Sequence, residues 1–352
     1  MKFAICNETF GDWALSDALH LAKSLGYTGW EVAPFMLADD IHKFDRRART
    51  EYRNQVESAG LEIIGLHWLL AKTEGFYLTS EDPDVRMATA NYLGELAQLC
   101  SDLGGDVMVL GSPQQRNVPQ GQSMQSAMEC AAEVLRTLGP DLERTGVRVA
   151  VEPLGREEGN FLNHAADARE LIDLVDHPHV QLHLDVKAMS DEGQPIEQII
   201  KDNAEQMIHF HANDPNRQGP GMGEVDFEPI FRALKEIDYQ GWTSVEVFDY
   251  TDSSSPISSA GRWGAVGAGP VSYTNLSGQT TEVATILTSL RIRNATGTEL
   301  YLRDFFRRTL TSLRHVDEDL HGGIHTFGFY SRSLAQAYSG DMIGAPSSGL
   351  NY

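Results

Sequence analysis

The chain has 352 residues, a hydrophobic content of 41% and a formal charge of −22 at neutral pH. That length accommodates one α/β barrel of about 250 residues with something added. The charge opposes nucleic acid and anionic membrane surfaces as partners, and no apolar run is long enough to span a bilayer. No basic-flanked hydrophobic leader opens the sequence, so a soluble, cytoplasmic protein is expected, with a homo-oligomer left open. Cys6, Cys100 and Cys130 lack CxxC spacing and read as reduced, buried thiols.

In chain order, KFAIC is a first strand, followed by a loop at 7–12 whose Asn7 is a candidate to reach a ligand. A helix follows with Leu15, Leu19, Ala22 and Leu25 on one face and Gly26 near its end. GWEVAPF is the second strand, and a charged helix over 46–59 stops at Gly60. The third strand, LEIIGLHWLL, brings His67 and Trp68 to its end, where the Trp68 ring offers a stacking face. Pro83 opens a long helix running to Gly104 and Gly105. DVMVLGSP is the fourth strand, and Met124–Thr145 the helix after it.

The segment 147–250 carries the chemistry. Four short apolar stretches each end in a group able to bind a metal: RVAVE at Glu152, VQLHLD at Asp185, MIHFH at His211 and TSVEVF at Glu246. Stepping back by two residues gives Ala150, His183, His209 and Ser244 on the same face. The intervening Val149, Val151, Leu182, Leu184, Ile208, Phe210, Val245 and Val247 are apolar and expect helices against them. Helices are predicted at Ala165–Val175, 196–205 and 227–237. Strand and helix alternate through eight strands, which predicts a (β/α)8 TIM barrel over residues 1–252. At the C-terminal strand ends of such a barrel, Glu152, Asp185, His211 and Glu246 would face one pocket. Three carboxylates and one imidazole suit Mn2+, Mg2+, Co2+ or Zn2+. His183 and His209 then sit below the ion and orient the carboxylates. Asn213 and Asp214 organise the following loop, with Pro215 fixing its turn.

From Ser253 the composition changes to Ser and Gly, and Lys is absent beyond Lys235. Residues 253–352 are expected to be an atypical C-terminal extension, with helices at 282–290 and 300–313. His315, His321 and His325 have no strand-end setting.

MKFAICNETF, VEPLGREEG, HLDVKAM, HFHANDPNRQGPGMGEVDF and GWTSVEVFDY resemble the xylose isomerase-like barrel superfamily, in particular its sugar phosphate isomerase/epimerase group with the ketose 3-epimerases. The resemblance runs from Met1 to about Asp252. It implies that Glu152, Asp185, His211 and Glu246 hold one divalent cation, usually Mn2+, and that Glu152 and Glu246 are also the acid/base pair. It further implies that Glu158 and Arg217 contact substrate oxygens. A cation on a sugar carbonyl stabilises an enediolate, and carboxylates on opposite sides of the carbon could invert it. Where the ketose epimerases carry a histidine three residues after the aspartate, this chain has Ala188, with Lys187 beside it as a replacement contact. A dehydratase of the inosose or dehydroshikimate type shares the first proton abstraction. An apurinic endonuclease would need more histidine ligands than Gly111 and Ala188 allow. A non-catalytic or partner-dependent carbohydrate-processing subunit is the remaining alternative.

Overall fold

The computed structural model describes residues 1–221 and 223–248, together with short strands at 264–265, 271–274, 280–283, 290–293 and 299–301. The strands β1 (Lys2–Cys6), β2 (Gly29–Val32), β3 (Glu62–Leu66), β4 (Val107–Leu110), β5 (Arg148–Val151), β6 (Val180–Asp185), β7 (Met207–Ala212) and β8 (Trp242–Val245) form a closed barrel in sequence order. All pairs are parallel, and Lys2 to Ile5 of β1 align with Trp242 to Val245 of β8 to shut the ring.

The alternation of side chains along each strand decides what goes where. Phe3, Ile5, Trp30, Val32, Met108, Leu110, Val149, Val151, Leu182, Leu184, Phe210 and Val245 pack outward into the main core with the helices. Each such aliphatic or aromatic group contributes about 1.5–3 kcal/mol on full burial. The helices are α1 (Leu15–Leu25), α2 (Arg46–Ser58), α3 (Pro83–Leu103), α4 (Met124–Thr145), α5 (Ala165–Val175), the single turn α6 (Val186–Met189), α7 (Ile196–Asp202) and α8 (Phe227–Glu236). Local chemistry sets their ends. Asp45, Asp82, Ser123 and Asp226 accept from first-turn amides of α2, α3, α4 and α8. Gly26, at φ 93°, closes α1 in the left-handed conformation that glycine adopts without a Cβ clash.

One parity expectation fails. Strand alternation puts Ile208 on the helix-facing side, but it packs with Val107, Val109 and Ala150 in a separate interior cluster. The register between β6 and β7 shifts after Leu182, so that Met207 pairs with Leu182 and His209 with His183. The extra residue in β7 turns Ile208 inward while leaving His209 and His211 in phase.

Residues 249–263, which follow β8, lie outside the described residues. In the extension, Thr280–Val283 pairs antiparallel with Val271–Thr274, and Leu290–Arg293 with Glu299–Tyr301. The helices expected at 282–290 and 300–313 are therefore contradicted at Glu282, Val283, Leu290, Leu300 and Tyr301, which lie in strands. The rest of both spans, and His315, His321 and His325, lie outside the described residues. The three cysteines are free and buried, as expected.

Candidate functional site

Glu152 follows β5, Asp185 and His211 stand near the ends of β6 and β7, and Glu246 follows β8. All four are buried. They line one pocket together with His67, Trp68, Glu158, Lys187, Gly111, Pro113, Leu154 and Phe248. Arg217 is not among the lining residues; it is exposed, with its guanidinium 5.7 Å from the Phe248 ring centroid. Gly111 ends the β4 side of the pocket for a steric reason: a Cβ there would come within 1.5 Å of Glu152 Oε2.

The carboxylates are not equivalent. Burial, then the charges of Glu246 and Asp185, push Glu152 well above the usual carboxylate range. Burial and then Glu246 push Asp185 up to about 6. Burial would raise Glu246 too, but the neighbouring His211 outweighs it and holds Glu246 below its ordinary value. His211 Nδ1 is 3.0 Å from Glu246 Oε2, and Trp68 Nε1 donates to Glu246 Oε1 at 2.7 Å. Three buried acids converging with so little compensating charge fit a divalent cation, which would relieve their mutual repulsion. One atom each from Glu152, His183, Asp185 and His211 lies within 4.8 Å of the others, and Glu246 groups similarly with Glu8 and His67.

The support beneath this site rests on Glu31, which the strand-end reading passed over. Its carboxylate, fully buried on β2, lies 3.0 Å from His211 Nε2 and 2.8 Å from His209 Nε2, and it accepts from Ser244 Oγ. Burial opposes its ionisation, yet His209 and His211 outweigh burial and hold Glu31 well below the usual carboxylate range. In return, Glu31 and Glu246 overcome the effect of burial on His211 and raise it well above an ordinary imidazole. The only local signal is that Glu31 is the one charge in GWEVAPF, between Trp30 and Val32, which marks a buried acid without naming its partners.

Other expectations need correction. His209 orients Glu31 rather than a strand-end carboxylate, and His183 makes no hydrogen bond among the described residues, its Nε2 lying 3.8 Å from Glu152 Oε1. His67 is held between Glu8, 2.6 Å from Nε2, and Glu31, 3.7 Å from Nδ1. Asn7 braces the barrel, accepting from Ala33 N at 2.8 Å, and is not among the pocket residues. Asn213 does more than shape its loop: it donates to Asp185 Oδ2 at 2.5 Å and accepts from Lys187 N at 2.9 Å. Asp185 Oδ1 also accepts from Ala188 N at 2.8 Å, at the start of the unpredicted turn α6. That turn presents Lys187, whose Nζ is 2.5 Å from Glu158 Oε2. Asp214 organises the loop as expected, accepting from the amides of Gly221 and Gly223 at 3.0 Å. Arg116, absent from the sequence reading, is buried against Leu110 O; burial lowers it to about 10 against the pull of Glu152 and Glu158.

The profile of the xylose isomerase-like TIM barrel family matches residues 19–265. The chain belongs to this family. Among relatives of this xylose isomerase-like barrel, a probable ketose 3-epimerase of Synechocystis sp. is 29% identical over 234 residues, covering 66% of this chain and 77% of that protein. The 3-dehydro-D-guloside 4-epimerase of Escherichia coli is 25% identical over 252 residues, covering 70% and 92%. A crystal structure of D-psicose 3-epimerase in the presence of D-fructose shares the fold at a TM-score of 0.68 and 19% identity, over 90% of this chain and 99% of that one. The curated relatives are sugar epimerases, which supports an enzyme of the isomerase class. Among the described residues, no helix is long and apolar enough to cross a membrane.

Proposed function

We propose that this barrel is a divalent-metal-dependent sugar isomerase or epimerase working by proton abstraction and an enediolate intermediate. The observation that carries the reading is the convergence of Glu152, Asp185, His211 and Glu246 in one buried pocket of a chain related to sugar epimerases. These four residues would hold the ion; Mn2+ is the first choice, and Mg2+, Co2+ or Zn2+ suit the same donors. When bound, the ion would polarise the sugar carbonyl and stabilise negative charge developing on its oxygen.

Glu246 and Glu152 form the acid/base pair. Their environments drive them apart: His211 favours ionised Glu246, whereas burial and neighbouring acids favour protonated Glu152. Glu246 therefore takes the proton from one side of the carbon and Glu152 returns one to the other. Glu158 and Lys187 offer an acceptor and a donor to sugar hydroxyls, with Arg217 at the rim. Because the Trp68 indole N–H is committed to Glu246, its ring face is what remains for the sugar. His67 lines the pocket with it. Residues 1–252 constitute the catalytic unit, and 253–352 an extension outside the chemistry.

Incubation with Mn2+ and a panel of ketoses in D2O tests this. Deuterium should enter the carbon undergoing inversion without loss of water; an enone absorbance would instead identify the dehydratase, and no exchange with any ketose would oppose both.

Gly111→Ala should lower turnover by about 100-fold, because its Cβ displaces the Glu152 carboxylate. The obstructing atom is the tip of a side chain, so the melting temperature should barely move; a normal kcat would sink the placement.

The pH dependence follows from the same groups. Asp185, raised to about 6 by burial and then Glu246, favours the metal-free fold below its ordinary value, an advantage lost as pH rises through about 6. Raised His211 likewise binds its proton tightly. An ion must displace these protons, so Mn2+ affinity should rise between about pH 5 and 8 with proton release. Calorimetry in buffers of different ionisation enthalpy measures both; a pH-independent affinity would contradict the assignment.

A further inference from the structure

His183 is fully buried inside the barrel, two residues before Asp185 on β6, and neither ring nitrogen has a hydrogen-bond partner among the described residues. It stands apart from its neighbours. His209 and His211 hold Glu31, and His67 holds Glu8. A buried imidazole without a partner bears the whole desolvation cost of its polar atoms, which an aliphatic side chain at the same position would avoid. Histidine there calls for a ligand.

The surroundings specify one. The His183 ring meets His211 edge to face, with centroids 4.3 Å apart, and Nε2 lies 3.8 Å from Glu152 Oε1. Two donors bound at about 2.0–2.2 Å to a common first-row cation lie no more than about 4.4 Å apart. The His183–Glu152 separation is inside that limit, and His183 belongs to the four-donor set with Glu152, Asp185 and His211. A separate site among His183, His209 and His211 is less favourable, because Glu31 already occupies Nε2 of the latter two.

We propose that His183 is a second imidazole ligand of the divalent ion, so that this pocket offers two nitrogens rather than one. The inference rests on the metal reading under Proposed function. Its chemical consequence is selectivity: a second imidazole moves the site away from Mg2+ and toward Co2+ and Zn2+. Glu246, anchored by Trp68, remains a donor to the ion and the base of the reaction proposed above.

The full chain loaded with Co2+ tests the wild type directly. Proton NMR should show two strongly shifted, exchangeable imidazole N–H signals; a single signal would overturn the proposal. His183→Leu should lose one signal and weaken Co2+ and Zn2+ binding by about 100-fold or more in chelator competition. Its Mg2+ affinity should change less. The metal-free variant should melt at or above the wild-type temperature, since an unpartnered polar group has been removed. Unchanged Co2+ and Zn2+ affinity in the variant would overturn the role of His183 and leave the metal reading standing. A wild-type protein that binds no divalent ion would overturn both.

Discussion

Glu246→Gln is expected to reduce kcat for sugar epimerisation by about 10²–10⁴-fold, the usual contribution of one positioned acid or base. The substitution keeps the shape of the side chain and an oxygen able to accept from Trp68 Nε1, so the pocket wall should survive. What is lost is the anion favoured by His211, 3.0 Å away, and with it the group able to accept a proton. Glu152→Gln, the matching change in the other glutamate, sharpens the result. If each glutamate serves one face of the carbon, either change should abolish inversion while the remaining carboxylate still exchanges label with its own epimer. Steady-state turnover measured alongside deuterium wash-in from each epimer makes the comparison. Turnover equal to that of the parent would end the acid/base assignment.

Glu31→Ala should be the most damaging single change to the fold near the site. The carboxylate is fully buried and holds His209, His211 and Ser244 at once. Removing one side of a buried charged cluster typically costs about 3–5 kcal/mol, because the partners are left uncompensated. It should also weaken metal binding by about 10–100-fold, since His211 loses the group that fixes its Nε2 and thereby aims Nδ1 at the pocket.

The pH dependence has a definite sign. Although burial opposes its ionisation, Glu31 is held well below the usual range by His209 and His211; its contribution is present above about pH 4.3, the unfolded value, and fades as pH falls through its folded pKa. His211 is raised well above an ordinary imidazole, with burial opposing and Glu31 and Glu246 prevailing; its contribution is complete below about pH 6.5 and fades as pH rises through its folded value. The stability gap between parent and variant should therefore be widest between about pH 4.3 and 6.5. Urea denaturation across that range measures it, and a gap indifferent to pH would mean that the cluster is not ionised as described.

The strand-end residues Glu152, Asp185, His211 and Glu246 were readable in the sequence because each closes a short apolar stretch of period two, and a closed parallel barrel sends all such ends to one rim. Local signals likewise placed Met124–Thr145 and Ala165–Val175 at their observed bounds. Ile208 escaped this reasoning: an extra residue in one strand changes the facing of a side chain without changing composition. Glu31 escaped for another reason. Its partners lie 178 residues away at His209 and 180 at His211, so nothing near it in the chain announces the contact.

The sequence by itself determined the order of the eight strands, the barrel and which acids and imidazole stand at its strand ends, because side-chain periodicity and capping chemistry act over a few neighbouring residues. The tertiary structure alone decided which donor is braced by which neighbour: Trp68 on Glu246, Asn213 on Asp185, Glu31 on His211, and His183 with no hydrogen-bond partner. Those assignments depend on how the strands stagger when the sheet closes, and stagger is set by packing around the whole ring rather than by any one stretch of chain.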